Sequence, residues 1–199
     1  MKLLAFADVH GSLHAIRKIQ EKAKKEKPNI LICAGDISIF ETNLDLLLSG
    51  LNKIGVPVLI IPGNHEGVES LRRACSLFKN IIFLHNRLHE SSSTLFFGYG
   101  GGGFALTDKG FENAVKSHKA KMKKAGSIVL VTHQPPYGNR LDRIAGQSCG
   151  NKSYTKFIRD FKPKLAVSGH LHENFRKKDN LGKTRLLNPG PDGTIVTVS

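Results

Sequence analysis

Cysteine is scarce: Cys33, Cys75 and Cys149 are the three in 199 residues, widely separated and odd in number. No two have the short spacing of a zinc knuckle or a redox motif, which excludes a disulfide framework and leaves reduced thiols of a cytoplasmic protein as the expectation. Long hydrophobic runs are lacking too. The opening Met1-Lys-Leu-Leu-Ala-Phe-Ala-Asp8 holds an apolar run of only five residues before its carboxylate, too short for a membrane span or the core of a secretory leader. Acidic residues are few, 16 against 30 lysines and arginines, for a net charge of +14. The excess gathers at residues 21–27, 116–124 and 176–178, and two of these runs read as solvated helix faces. The charge admits nucleic acid as a partner without requiring it, because a site for small phosphate-bearing molecules needs only local positive potential. Internal repeats, low-complexity tracts and linkers are absent, and a hydrophobic content of 40% supports one domain spanning residues 1–199.

Five short apolar segments, residues 3–7, 30–34, 58–61, 128–132 and 165–167, are near-continuous rather than alternating, the pattern of strands buried on both faces. Between the first three lie residues 13–26 and 43–53, apolar at helical spacing and punctuated by Pro28, Gly55 and Pro57, which gives a βαβαβ order. The spacing then predicts a helix over 68–78, strands at 81–84 and 94–97, and a lysine-rich helix over 109–124. In the last third, 174–178, 183–187 and 194–198 read as successive strands, separated by turns at Asp179-Asn-Leu-Gly182 and Asn188-Pro-Gly190.

Each of the five buried segments is followed at once by residues of metal-ligand type: Asp8-Val-His10, Gly35-Asp36, Gly63-Asn64-His65-Glu66, His133, and Gly169-His170-Leu-His172. Ligands of an open α/β sheet bind beyond the carboxyl ends of its strands, so clusters far apart in sequence converge on one crevice. A fold gains no stability from gathering unpaired histidines and carboxylates at one edge, which turns the pattern toward chemistry. Asp8 and His10, like His170 and His172, are two apart, and on an extended chain each pair shares a side. Carboxylate, imidazole and amide donors without thiolate favour Mn²⁺, Fe²⁺, Ni²⁺ or Zn²⁺ in an open site over a closed structural zinc. Gly35, Gly63 and Gly169 allow sharp turns where bulkier residues would crowd an ion. His14, His85, His89 and His118 lie outside these clusters and read as surface residues. Gly98-Tyr-Gly-Gly-Gly-Gly103 satisfies G-x-G-x-x-G, but it arrives after several elements, opens no clear amphipathic helix and lacks a following Lys-Ser/Thr. It reads as a strand end and turn that admits close backbone approach.

In type and order these residues resemble the calcineurin-like metallophosphoesterase superfamily, whose blocks run Asp-x-His, Gly-Asp, Gly-Asn-His-(Asp/Glu), His and Gly-His-x-His; the likeness extends from Asp8 to Asn188. It implies an α/β fold, a four-layer α/β/β/α sandwich with two packed mixed β-sheets, a layering that periodicity alone leaves open. It also implies a dinuclear centre, with Asp8, His10, Asp36 and His172 around one ion, Asp36, Asn64, His133 and His170 around the other, and Asp36 bridging. Two divalent ions, Mn²⁺ foremost, lower the pKa of a shared water and bind phosphate oxygens, so that a hydroxide attacks phosphorus in line. Two carboxylates under two dications leave net positive charge, which favours an anionic ester. By the same resemblance His65 is the leaving-group acid and Glu66 orients it.

Gln134-Pro-Pro-Tyr-Gly138 after His133, then Leu141-Asp142 and Asn188-Pro-Gly190, resemble the small phosphodiesterase branch. Serine/threonine protein phosphatases are a poorer match: Ile-Ser-Ile-Phe40 follows Asp36 in place of Arg-Gly, and no arginine closely follows Glu66. The implied activity is hydrolysis of small phosphodiesters or nucleotides. A phosphomonoesterase or nuclease using the same site, and a non-catalytic interaction module on this scaffold, stand as alternatives. Residues 135–150 form a long aperiodic loop expected to lie over the site, and Arg140, Arg143 and Lys152 join Asn64 and His65 as candidate substrate contacts. The expected partner is a small phosphoester, with no membrane; the sequence carries no signal of oligomeric state.

Overall fold

The structure, a computed structural model, describes residues 1–198. Its first half runs β1 (Lys2–Phe6), α1 (Leu13–Glu26), β2 (Ile30–Cys33), α2 (Leu44–Asn52), β3 (Val58–Ile60), α3 (Val68–Ser76) and β4 (Ile81–Phe83). There follow β5 (Arg87–Ser91), β6 (Thr94–Tyr99), α4 (Lys109–Lys124), β7 (Ser127–Thr132), β8 (Arg143–Ile144), β9 (Gln147–Ser148), α5 (Lys152–Phe161) and β10 (Leu165–Val167), then β11 (Lys178–Leu181), β12 (Thr184–Leu187) and β13 (Thr194–Thr197). One sheet has the order β13-β1-β2-β3-β4 and is parallel except for β13. The other has the order β11-β12-β10-β7-β6-β5, parallel through its middle with an antiparallel strand at each edge.

The side-chain period of two explains why the central strands are apolar throughout. Along β1, Leu3 and Ala5 point into a core shared with the second sheet, where they meet Phe96, Val129, Val131, Leu165 and Val167. Leu4 and Phe6 point the other way and pack with Ile16, Ile19, Leu47, Leu48 and Leu71 of α1, α2 and α3. On the far side of the second sheet, Leu95, Phe97, Leu130 and Leu186 pack with Phe111, Met122, Tyr154 and Phe157 of α4 and α5. The result is the four-layer α/β/β/α sandwich that the family resemblance implies. Local signals start the helices: Ser12 caps α1 by accepting from Ala15 N, Asp108 caps α4 from Phe111 N, and Asn151 caps α5 from Ser153 N. Among the described residues no helix is long and apolar enough to cross a membrane.

Two segments differ from the sequence expectation. Residues 172–174 form a 3-10 turn and the strand begins at Lys178, so the hairpin turns at Gly182-Lys183 and not over 179–182. Asn174 explains the delay: its side-chain amide donates to Leu141 O and Arg143 O, which fixes the chain in a turn before pairing can start. The last third is also not a run of neighbouring strands, since β12 joins β10 in parallel and β13 crosses to the first sheet beside β1. Strand β5 carries no apolar pattern because it is a half-exposed edge.

Candidate metal centre

The parallel strands of both sheets end along one edge, and the loops that leave them bind one another. Asp8 N donates to Gly35 O at 3.1 Å, His10 N to Asp36 O at 3.0 Å, and Gly169 N to His133 O at 2.9 Å. His170 N donates to both carboxylate oxygens of Asp8, and His65 N to Asp36 Oδ1 at 3.0 Å. Four residues here hold left-handed backbone without being glycine: Asp8 (φ 57°), His10 (46°), Asp36 (52°) and His170 (69°). Such conformations cost roughly 1–3 kcal/mol each in strained cases and persist where surroundings over-determine them, as these cross-loop bonds do. They also correct the extended geometry expected for Asp8-Val-His10 and His170-Leu-His172; a tight turn, not strand alternation, aims these side chains. Gly63 and Gly169 are required for space. A Cβ on Gly169 would stand 2.5 Å from Asp8 Oδ2, and one on Gly63 would stand 2.5 Å from Asp36 N and overlap the Asp36 carboxylate.

All seven candidate ligands and His65 come together. His10 Nε2 and His172 Nε2 lie 3.1 Å apart, with Asp8 Oδ1 3.7 Å from His172 Nε2. Asp36 Oδ2 stands between the two halves of the cluster, 3.8 Å from His10 Nε2 and 3.2 Å from His133 Nε2. Beyond it, Asn64 Oδ1 is 3.0 Å from His133 Nε2 and 3.0 Å from His170 Nδ1. His133 Nδ1 lies 2.8 Å from Ala34 O, and a carbonyl only accepts, so Nδ1 carries the hydrogen and the neutral ring presents its Nε2 lone pair to Asp36 and Asn64. Three acceptor atoms, Nε2 itself with Asp36 Oδ2 and Asn64 Oδ1, thus meet at one point, a crowding that a cation resolves, and the donor atoms of Asp8, His10 and His172 converge beside it, so the donor set fits divalent metal.

The ionisation behaviour has the same cause. Burial raises Asp8 to about 6. Burial works on Asp36 as well, but the hydrogen bond and charge of His133, with the His65 N–H, bring it to about 2. Burial alone would lower His133, but the hydrogen bond and charge of Asp36, with the charge of Asp8, outweigh it and push the ring up. Burial and the charge of His133 take His170 down to about 4, and burial lowers His10.

Glu66 is placed differently from its expected role. It is buried, and its carboxylate accepts four hydrogen bonds: Asp36 N (3.1 Å) and Gly63 N (2.9 Å) on Oε2, Ser38 N (2.9 Å) and Ser38 Oγ (2.8 Å) on Oε1. None goes to the His65 ring, whose buried Nδ1 has no partner among the described residues. Glu66 clasps the loops after β2 and β3 and so holds Asp36.

The loop over 135–150 is packed against the 3-10 turn through Asn174, with Asp142 accepting from Gly138 N and Asn139 N, and is not a free flap. Arg143 donates to Gly146 O, Lys152 lies over the Tyr137 ring at 5.0 Å, and exposed Arg140 donates its backbone N–H to Asp179. The first two cations are therefore engaged within the loop and its flank. Sequence reading missed Ser38 in the clasp and two exposed phenyl rings that touch the centre, Phe40 on His65 (centroids 4.7 Å) and Phe104 on His170 (4.8 Å). Their one sequence signal is position, a phenylalanine in the loop beyond a ligand-bearing or glycine-rich strand end.

Comparison with known proteins agrees with this architecture. The family of calcineurin-like phosphoesterases matches residues 1–174. Among solved structures, the TT1561 protein of Thermus thermophilus superposes with a TM-score of 0.80 at 15% identity, covering 96% of this chain and 90% of that one. A phosphopantetheinyl hydrolase of Mycobacterium tuberculosis gives 0.68 at 16% identity, covering 95% and 88%. A dimetal phosphatase of Danio rerio gives 0.68 at 13% identity, covering 94% and 86%. At these identities the likeness is one of fold.

Proposed function

The chain belongs to the calcineurin-like phosphoesterase family, and on that premise we propose that it is a dinuclear metal-dependent phosphodiesterase acting on small diesters or nucleotides. The observation that carries the reading is the position of Asp36, whose Oδ2 faces His10 on one side and His133 on the other. Asp8, His10, His172 and Asp36 would hold one ion, and Asp36, Asn64, His133 and His170 the second. When bound, two such ions supply a water acidified toward neutral pH and a grip on the phosphate oxygens. The donor set, oxygen and imidazole without thiolate, supports Mn²⁺, with Fe²⁺, Ni²⁺ or Zn²⁺ as alternatives.

The chain's own residues do the rest. Asp36 accepts the His65 N–H, which fixes the loop that carries the proposed acid. As a water oxygen bonds to phosphorus, the bond to the leaving oxygen breaks; that oxygen keeps the electron pair and takes a proton from the His65 ring. The proton shed by the water returns His65 to its starting state, so diester plus water gives monoester plus alcohol. Ala34 O holds His133 in one tautomer throughout. Three free cysteines, two of them buried, support placement in the cytoplasm.

The test is a matrix of Mn²⁺, Fe²⁺, Ni²⁺ and Zn²⁺ against an aryl diester, an aryl monoester and a single-stranded oligonucleotide, with Asp36→Asn as background. Diester turnover that vanishes in the variant is expected. Turnover that survives Asp36→Asn refutes the assignment, and a preference for the monoester or the oligonucleotide replaces diesterase by phosphatase or nuclease.

A further inference from the structure

Phe40 and Phe104 are 76% and 65% exposed, which is unusual for phenyl rings that are held in place. Phe40 sits in left-handed backbone (φ 46°), followed by Glu41 in the same region (φ 64°). Its loop is pinned by Glu41 N donating to Ser38 Oγ and by Gly67 N donating to Glu41 Oε1, so the clasp that holds Asp36 also fixes this ring. Phe104 ends the glycine run after β6, and that run now has a purpose. Gly100 N donates to His85 Nδ1 and Gly101 N to Pro62 O, and a Cβ on Gly100 would stand 2.6 Å from Pro62 Cδ. Just past the ring, Ala105 O accepts from both Gln134 Nε2 and Asn151 Nδ2. Both rings are therefore presented to solvent by anchored loops.

They also stand at the two ends of the imidazole array. Phe40 abuts His65, which contacts His10 and through it His172; Phe104 abuts His170, which contacts His133. The histidines separate the two rings, so they do not form the continuous apolar patch that a lipid surface would need. Resting on the reading of the centre as a phosphodiesterase site, we propose that Phe40 and Phe104 are stacking platforms for the two planar arms of the diester. The arm on Phe40, beside His65, is the one that leaves, and the arm on Phe104 stays on phosphorus. A monoester has one arm and leaves one platform empty. The substrate class is a diester with a flat ring on each side, as when two nucleosides share a phosphate.

Calorimetric titration of the Mn²⁺-loaded protein with diphenylphosphinate, dimethylphosphinate and dihexylphosphinate tests this without turnover, because their carbon–phosphorus bonds are not hydrolysed. Base-on-aromatic stacking sets the scale: Phe40→Ala and Phe104→Ala should each weaken diphenylphosphinate about tenfold and leave dimethylphosphinate unchanged within about twofold. Both side chains are exposed, so neither substitution opens the core. Unchanged diphenylphosphinate affinity in both variants overturns the proposal, and so does dihexylphosphinate binding as tightly as diphenylphosphinate, which would mean apolar area and not planarity is read. In kinetics, Phe40→Ala should lower kcat/KM for bis(4-nitrophenyl) phosphate and for ethyl 4-nitrophenyl phosphate alike, and Phe104→Ala for the first only; the opposite pattern overturns the arm assignment. A wild-type protein that hydrolyses neither diester refutes the phosphodiesterase reading, and the phosphinate affinities still decide the platforms.

Discussion

Replacing Glu66 by glutamine alters one atom and should damage both stability and the centre. Glu66 receives four donors on two oxygens, and glutamine has only one oxygen to offer. If that oxygen keeps Asp36 N and Gly63 N, the new NH₂ faces Ser38; the hydroxyl can turn and accept, but Ser38 N–H is left buried without a partner. The reverse orientation orphans two backbone N–H groups, so the first wins. One buried orphan costs about 1–3 kcal/mol, and demoting the surviving bonds from charge-assisted to neutral adds about 1 kcal/mol, for a total near 3 kcal/mol. In a chain of this size that lowers Tm by about 6–12 °C.

The same substitution loosens Asp36 N, so Mn²⁺ affinity should fall together with kcat/KM. Differential scanning calorimetry and Mn²⁺ titration on Glu66→Gln check this. A Tm within about 2 °C of wild type would refute the four-donor argument. A large loss of kcat with Mn²⁺ affinity unchanged would show instead that Glu66 acts through His65, as the family resemblance implied.

His65→Ala should lower kcat by about two to four orders of magnitude for a substrate with a poor leaving group, with Mn²⁺ affinity unchanged by titration. Gly169→Ala adds a methyl 2.5 Å from Asp8 Oδ2; it should destabilise by about 1–3 kcal/mol in a denaturant melt and weaken Mn²⁺ binding, though it removes no ligand. Metal uptake should release protons: with Asp8 at about 6, that residue alone gives up about half a proton at pH 6 and about a tenth at pH 7, read by calorimetry in buffers of different ionisation enthalpy. In the metal-free protein Asp8 and His170 oppose each other. Asp8, raised from 3.8 to about 6, binds more protons folded than unfolded across that window, so its contribution to stability is lost as pH rises. His170, lowered from 6.5 to about 4, binds fewer protons folded, so its contribution grows with pH. Wild-type Tm should change little between pH 4 and 6 on account of this pair, whereas metal-free Asp8→Asn should gain Tm as pH rises; a falling Tm in that variant would overturn the His170 assignment.

What could be read from sequence was whatever local order determines. The ends of apolar runs located Asp8, Asp36, Asn64, His133 and His170, because a parallel strand buried on both faces has its first freedom to be polar where it leaves the sheet. Two sheets rather than one could not be read, since Leu3 facing Phe96 and Leu4 facing Ile19 give the same apolar run as any doubly covered strand. The aim of the ligands could not be read either. Asp8, His10, Asp36 and His170 are left-handed because loops distant in sequence bind them there, as His170 N binds the Asp8 carboxylate across 162 residues and Asp36 N binds Glu66 across 30. Glu66 shows what resemblance to a family leaves out, the surroundings of the carboxylate. The resemblance pairs its carboxylate with His65, but two loops, those after β2 and β3, offer it four donors, and among the described residues none of its bonds goes to the His65 ring. The proposed acid His65, the clasp at Glu66 and the ring at Phe40 are thereby coupled through Ser38 and Asp36, so a substitution in any of them should be felt at the others before it is felt in the core.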